Sequence, residues 1–326
     1  MIRLPVVFLA LVACIGSTTA ETFADDRDKQ LLIEGQLEIA QLSVDEVEVQ
    51  RAKAHLEQLP GSAEGQFIVV RENNFADEWP ERFRSSDMPL ELSEDQLKGL
   101  RELRIMGGGQ PSEKQLRNII ERSEYPVIVL DFRQEPHGHV AGMPITWFRP
   151  YVSDRDLGIE EIISLEDDFI EFLESTPSVR VDSVNWTGGQ DYELLSSEFI
   201  ENDTVLTNAD MVERNGVRYM RFYVPVVPND RQIAEFEALV EEVSEQDVTL
   251  YFQCWDGTGR SSAFMVMYDI LRNGRGVSLE SIADRHAAMG GINVLELPPE
   301  SSPNYARSVV RRDFIIDYYR KKTKTE

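Results

Sequence analysis

The sequence predicts an α/β domain, and three observations predict it. A β-rich apolar run at 248–252 leads into a glycine-containing loop, and a second apolar run at 263–271, of helical length, leads out of it. Ser93 with Gln96 and Ser112 with Gln115 stand at capping-box spacing, the pattern that opens a helix. The runs 126–130 and 217–227 read as buried strands, so strands and helices follow one another along the chain.

The elements before this domain set an expected address. Arg3 followed by the apolar run 4–15 and the small residues Thr18, Thr19 and Ala20 reads as a signal peptide over 1–20, which predicts export to the periplasm or medium. Leu11-Val12-Ala13-Cys14 also fits a lipobox, and the alternative is a lipid anchor through Cys14. The apolar run is too short to span a bilayer, and no other stretch has the length of a transmembrane segment. Residues 21–64 read as an acidic helical extension, with Ser43 and Glu46 at capping-box spacing, and its function is not legible. The α/β domain then occupies 65–326, with an inserted helix and small β segment at about 150–216.

Of 326 residues, 33 are basic and 58 acidic; losing 1–20 removes only Arg3 and leaves a formal charge of −26. Such a surface repels nucleic acid and anionic membranes. Cys254 is then the one cysteine left, which excludes a disulfide within the monomer. His137 and His139 lack a carboxylate or thiol at ligand spacing, so no metal site is expected.

The chemistry lies in Cys254-Trp255-Asp256-Gly257-Thr258-Gly259-Arg260-Ser261. A cysteine at a strand end, two glycines that let the backbone curl, and an arginine opening a helix build an anion cup. Main-chain N–H groups and the helix dipole hold a tetrahedral oxyanion, the guanidinium grips two of its oxygens, and the thiolate lies beneath the central atom. The Cys-x5-Arg-Ser pattern resembles the signature of the cysteine-dependent phosphatases. The resemblance implies attack of the thiolate on phosphorus, a Cys-phosphate intermediate and its hydrolysis by water, with no metal or cofactor.

Beyond the loop, the chain from about Arg82 onwards resembles the bacterial protein-tyrosine-phosphatase-like (PTP-like) phytases, which dephosphorylate myo-inositol hexakisphosphate. The residues that carry this resemblance are Arg82-Phe83-Arg84-Ser85-Ser86, the segment Asp131-Phe132-Arg133-Gln134-Glu135-Pro136-His137-Gly138 continuing to Trp147, the run 259–267, and the pair Gly290-Gly291. It implies a cysteine-phosphatase fold, a central mixed sheet flanked by helices with a small β-containing insertion. It also implies Cys254 as nucleophile, Arg260 as phosphate clamp, and Ser261 as the hydroxyl that bonds the thiolate or aids hydrolysis. Arg84 matches a residue that contacts substrate phosphate. Asp131, Arg133 and His137 stand near the end of a buried strand, where α/β sheets place their sites, and read equally as substrate contacts or as an ion-pair network that fixes the loop.

Four departures from that family bear on activity. The family's His before the nucleophile, which helps keep the thiol ionised, is Gln253 here. The stretch 224–230 lacks the Asp-His pair whose Asp protonates the leaving oxygen, a role worth a factor of ~10²–10⁴. Asp230 and Asp256 are the candidate replacements; Asp230 reads better as a helix cap, and Asp256 also repels a bound phosphate. The segment 181–187 has none of the family's lysines, and Arg307, Arg311 and Arg312 on the last helix are in shifted register and either line the pocket or, on the preferred reading, face solvent. Two functions follow: an exported phosphatase of inositol phosphates or other phosphomonoesters with impaired leaving-group protonation, or a phosphate-binding pseudophosphatase with little turnover. The expected partner is a small phosphorylated molecule; protein partners are not legible.

Overall fold

The computed structural model describes residues 68–71, 77–148, 157–188, 191–201 and 203–324. The expected signal segment, Cys14 and the 21–64 extension lie outside them. In chain order the elements are β1 (Ile68–Arg71), β2 (Arg84–Ser85), α1 (Glu94–Leu97), β3 (Ile105–Gly109), α2 (Glu113–Arg122), β4 (Val127–Asp131), β5 (His137–Val140), β6 (Met143–Phe148), α3 (Ile159–Glu174), β7 (Ser178–Gly188), β8 (Asp191–Glu201), β9 (Val205–Thr207), α4 (Asn208–Arg214), β10 (Arg218–Arg221), α5 (Asp230–Glu242), β11 (Thr249–Cys254), α6 (Gly259–Asn273), α7 (Leu279–Ala288) and α8 (Tyr305–Thr323). They form two compact units, divided after Arg71, Glu135 and Thr207.

The unit that carries Cys254 is a five-stranded mixed sheet in the order β10-β4-β11-β3-β2. Its first four strands are parallel and β2 runs antiparallel at the edge. Strands β3, β4 and β11 are buried along their whole length, as interior strands of a sheet covered on both faces must be. A cluster of phenylalanines closes the core. Phe132 stacks on Phe264 of α6 at 3.9 Å between ring centroids and on Phe222 and Phe252 at 5.3 and 5.8 Å. The register pairs Gln253 with Asp131 and Cys254 with Gly109, which puts the thiol at the carboxyl ends of the strands.

The capping boxes form as the spacing predicts: Gln96 N donates to Ser93 Oγ, and Gln115 N to Ser112 Oγ. Two expectations are corrected. The strand read over 217–227 ends at Arg221, because Phe222 N still bonds to Asp131 O but Tyr223 turns to a φ of 51° and takes the chain out of the sheet. The cap of α5 is Asn229, not Asp230: Asn229 Oδ1 accepts Gln232 N at 3.0 Å and Gln232 Oε1 accepts Asn229 N at 2.9 Å. Asp230 is the first helical residue, where a negative charge suits the helix dipole.

The other unit holds a six-stranded mixed sheet in the order β8-β7-β1-β6-β5-β9. The β segment expected within 150–216 supplies β7, β8 and β9, which share this sheet with β1, β5 and β6. Helix α3 buries Ile162, Leu165, Phe169, Phe172 and Leu173, with Phe169 stacked on Trp147 at 5.3 Å. Among the described residues, no helix is long and apolar enough to cross a membrane.

Helices α6 and α7 are tied by a buried charge network. Asp269 accepts Arg285 Nε at 2.7 Å and lies 2.9 Å from His286 Nε2, while Arg285 Nη1 donates to the carbonyls of Gln96 and Lys98 at 2.9 Å each. Burial opposes the Asp269 charge, but His286 and Arg285 outweigh it and hold the carboxyl below its usual value. Burial likewise lowers the His286 pKa, against the pull of Asp269. Both folded-state values are depressed, so both groups contribute stability above their unfolded values, about 6.5 for His and 3.9 for Asp, and lose it as pH falls. Urea unfolding should therefore show stability declining as pH drops below about 6.5. Asp269→Asn should remove ~3–5 kcal/mol at neutral pH, since it leaves a buried guanidinium without its counter-charge; a loss under ~1 kcal/mol would mean that the network is not what ties the helices.

Candidate active site

The loop is shaped from within and against β3. Asp256 Oδ1 accepts Thr258 N at 2.9 Å and its Oδ2 accepts Thr258 Oγ1 at 2.6 Å, a side chain mimicking a backbone turn. Gly257 has φ 73°, and a Cβ there would fall 2.5 Å from Gly108 C. In return, a Cβ on Gly109 would fall 2.9 Å from Trp255 O. Only glycines on both sides let loop and strand approach this closely. Cys254 ends β11, buried, with Sγ 3.4 Å from Ser261 Oγ in the first turn of α6 and 3.9 Å from Asp256 Oδ1.

Arg84 lies beneath this loop, fully buried. Its guanidinium donates to Gly257 O at 2.8 Å, to Ser261 Oγ at 3.2 Å, to Ser262 Oγ at 3.1 Å and to Arg82 O at 3.1 Å. Burial lowers its pKa to about 10, with Cys254, Tyr251 and Asp256 pulling the other way. Its two terminal nitrogens thus hold the loop and the first turn of α6, while its Nε is buried without a hydrogen-bond partner.

Arg260 stands at the start of α6 in a fork with Glu135: Nη1 reaches Oε2 at 2.6 Å and Nη2 reaches Oε1 at 2.7 Å. Nη1 also donates to Val224 O at 3.2 Å. Glu135 accepts Arg133 Nε at 3.0 Å as well. Burial would raise the Glu135 pKa, but the two guanidinium groups outweigh it and hold the carboxyl well below the usual range. Burial similarly opposes the Arg260 charge, and Glu135 more than offsets it, raising the Arg260 pKa. Glu135 is the residue whose role the sequence reading missed, although it stood inside the 131–138 segment.

The other expected residues divide. Arg133 is buried, donates to Gln110 Oε1 and lies 5.8 Å from the Trp255 ring centre. Asp131 accepts Arg133 N at 2.8 Å, Asn208 Nδ2 at 3.0 Å and Tyr219 O–H at 2.7 Å, so its carboxylate fixes the chain after β4. His137 belongs to the other unit, where its N–H donates to Glu166 Oε1 at 2.9 Å and its Nδ1 lies 3.5 Å from the same oxygen. Asp230 is exposed and lines a groove with Pro228, Tyr318 and Lys322. Gln253 is fully buried with neither amide atom hydrogen-bonded, which costs about 1–3 kcal/mol.

Arg311 departs from the preferred, solvent-facing reading of the arginines of α8. It is half-buried against the first residue of α6: a Cβ on Gly259 would fall 2.5 Å from Arg311 Nη2. The missing side chain of Gly259 is what lets the guanidinium in. Burial lowers its pKa, while Cys254 and Asp256 attract its charge. Its Nε is buried without a hydrogen-bond partner, and it makes no ion pair among the described residues. Arg312, by contrast, pairs with Asp313 at 2.7 Å.

Comparison with known proteins agrees with this geometry. The PTP-like phytase family model, described by inositol hexakisphosphate, matches residues 130–272. The PTP-like myo-inositol phosphatase of Mitsuokella multacida, solved with myo-inositol-(1,3,4,5)-tetrakisphosphate, superposes with a TM-score of 0.70 at 23% identity, over 78% of this chain and 45% of that one. A PTP-like phytase of Bdellovibrio bacteriovorus gives a TM-score of 0.59 at 24% identity, over 79% of this chain and 89% of that one. Effector protein hopD2 of Pseudomonas syringae pv. tomato is 26% identical over 228 residues, 65% of this chain and 48% of that protein. The match thus spans about half the length of hopD2 and of the Mitsuokella chain. The fold is that of the PTP-like phytases.

A direct test separates support from substrate contact at Arg84. Arg84→Met should lower stability in urea by ~2–4 kcal/mol, because a loop carbonyl and two serine hydroxyls lose their charged donor. It should weaken inorganic phosphate binding as a consequence. Unchanged stability with phosphate binding lost would instead make Arg84 a direct ligand.

Proposed function

We propose that this chain, which matches the PTP-like phytase family model over residues 130–272, is a cysteine-dependent phosphatase of inositol phosphates or other phosphomonoesters. The observation that carries the reading is the thiol of Cys254 at the floor of a glycine-shaped loop, with Arg260 held in a two-point fork by Glu135 beside it. The Cys254 thiolate attacks phosphorus, the ester P–O bond breaks with its electron pair on the leaving oxygen, and a Cys-phosphate remains. Water then attacks phosphorus, sulfur leaves as thiolate and inorganic phosphate is released. Ser261, 3.4 Å from Sγ, donates to the departing thiolate. Arg260 neutralises the charge that builds on the equatorial oxygens.

Protonation of the leaving oxygen is the slow step of this reaction. The segment from Phe222 to Asn229, which meets Arg260 through Val224 O, carries no carboxylic acid. Glu135 is ionised in its pair with two arginines, and Asp256 accepts from Thr258 twice. These commitments favour the second reading, a phosphate binder with slow turnover.

Cys254→Ser should abolish both a trappable phosphoenzyme and hydrolysis of 4-nitrophenyl phosphate, while wild type shows each; full activity in the serine variant would sink the nucleophile assignment. Asp256→Asn should bind inorganic phosphate several-fold more tightly, about 3–10-fold, with little change in rate, because it removes a negative charge beside the anion. Selective loss of alkyl-ester turnover with binding unchanged would make Asp256 the proton donor.

A further inference from the structure

Charge around the loop is arranged for a leaving group that departs as an anion. Among the described residues, the carboxylates at the loop are Glu135, ionised between two arginines, and Asp256, which accepts from Thr258 twice, so an alkoxide leaving group would depart unprotonated, at a cost of ~10²–10⁴ in rate. What the site holds besides Arg260, Arg84 and Arg133, whose guanidinium groups are bonded to Glu135 or to the loop, is the guanidinium of Arg311. Arg311 packs on Gly259, next to Arg260 in sequence, and neither a carboxylate nor a hydrogen bond to Nε engages it. Cationic charge cannot donate the missing proton to an alkoxide, but it can neutralise a leaving group that is already a stable anion. A phosphate group is such a leaving group, and it carries the charge that an unpaired arginine recognises.

We infer that the preferred substrates are phosphoanhydrides, organic diphosphates whose terminal phosphoryl group enters the loop while the adjoining phosphate lies against Arg311. This rests on the phosphatase reading above and narrows its substrate class. The Cys254 thiolate forms the S–P bond to the terminal phosphorus as the bridging P–O bond breaks. The electron pair stays on the bridging oxygen, now part of a phosphate monoester anion that Arg311 neutralises without giving up a proton. Water then cleaves the Cys-phosphate, returning the thiolate and inorganic phosphate. Arg260 acts on the transferred group and Arg311 on the departing one.

The test compares methyl diphosphate, methyl phosphate and 4-nitrophenyl phosphate with wild type, Arg311→Met and Arg311→Lys. In kcat/KM, wild type should favour the diphosphate over methyl phosphate by about 100-fold or more. Arg311→Met should lower the diphosphate value by about 10–100-fold more than the 4-nitrophenyl phosphate value, because only the diphosphate's leaving group carries a phosphate. Arg311→Lys should recover most of the loss. Equal losses on both substrates would overturn the inference and make Arg311 a support of the loop. Equal wild-type rates on diphosphate and monophosphate would overturn it too, leaving the phosphatase reading intact. Failure of wild type to turn over any of the three while still binding phosphate would reject the catalytic reading itself, and this inference with it.

Discussion

A fully buried guanidinium with no carboxylate at its side, that of Arg84, is the interaction on which the rest of the site depends. Taking a cation out of water is expensive, and here its hydrogen-bond partners are neutral: carbonyls of the loop and of Arg82, and two serine hydroxyls. The charges that favour it are Cys254 and Asp256, both on the loop above. The loop and the buried cation thus need each other. Arg84 holds Gly257 and Ser261 in the positions that shape the cup. A site of this kind is preorganised because undoing it would strand a charge.

The remaining arginines differ by what they are paired with. Arg260 shares Glu135 with Arg133, so its planar guanidinium is aimed and rigid. Arg311 has no such guide and is positioned by packing against a glycine. One cation is fixed by a carboxylate, and the other lies against a glycine. The chain as a whole is strongly acidic, which makes these cations a local exception to a repelling field.

The strand, loop and helix around Cys254 were legible because their signals are local: an apolar run, two glycines, and a helix-length run. The capping serines were legible for the same reason. Where the sequence reading went wrong, the cause was an interaction between distant segments. The end of β10 depends on the left-handed turn at Tyr223, where no glycine marks it. Glu135 and Arg260 find each other only once β4 and β11 are neighbours. The segment 131–138 read as one block, yet the structure assigns Asp131, Arg133 and Glu135 to one compact unit and His137 to the other. Arg311 was hidden for a different reason. Helical spacing says which residues share a face, but the gap at Gly259 that admits its guanidinium belongs to another helix.

The contact between Gly257 and the Gly108-Gly109 backbone has a consequence for how this protein can vary. When a side chain clashes with another side chain, a smaller residue at the second position can restore the fit. Here the atoms that a new Cβ would meet are main-chain atoms on both sides: Gly108 C and Gly109 N for a change at Gly257, Trp255 O for a change at Gly109. Main-chain atoms cannot be trimmed by substitution. A lesion at either glycine therefore has no intragenic suppressor at the other, and the seam between β3 and the loop is a place where mutational drift has no compensating path.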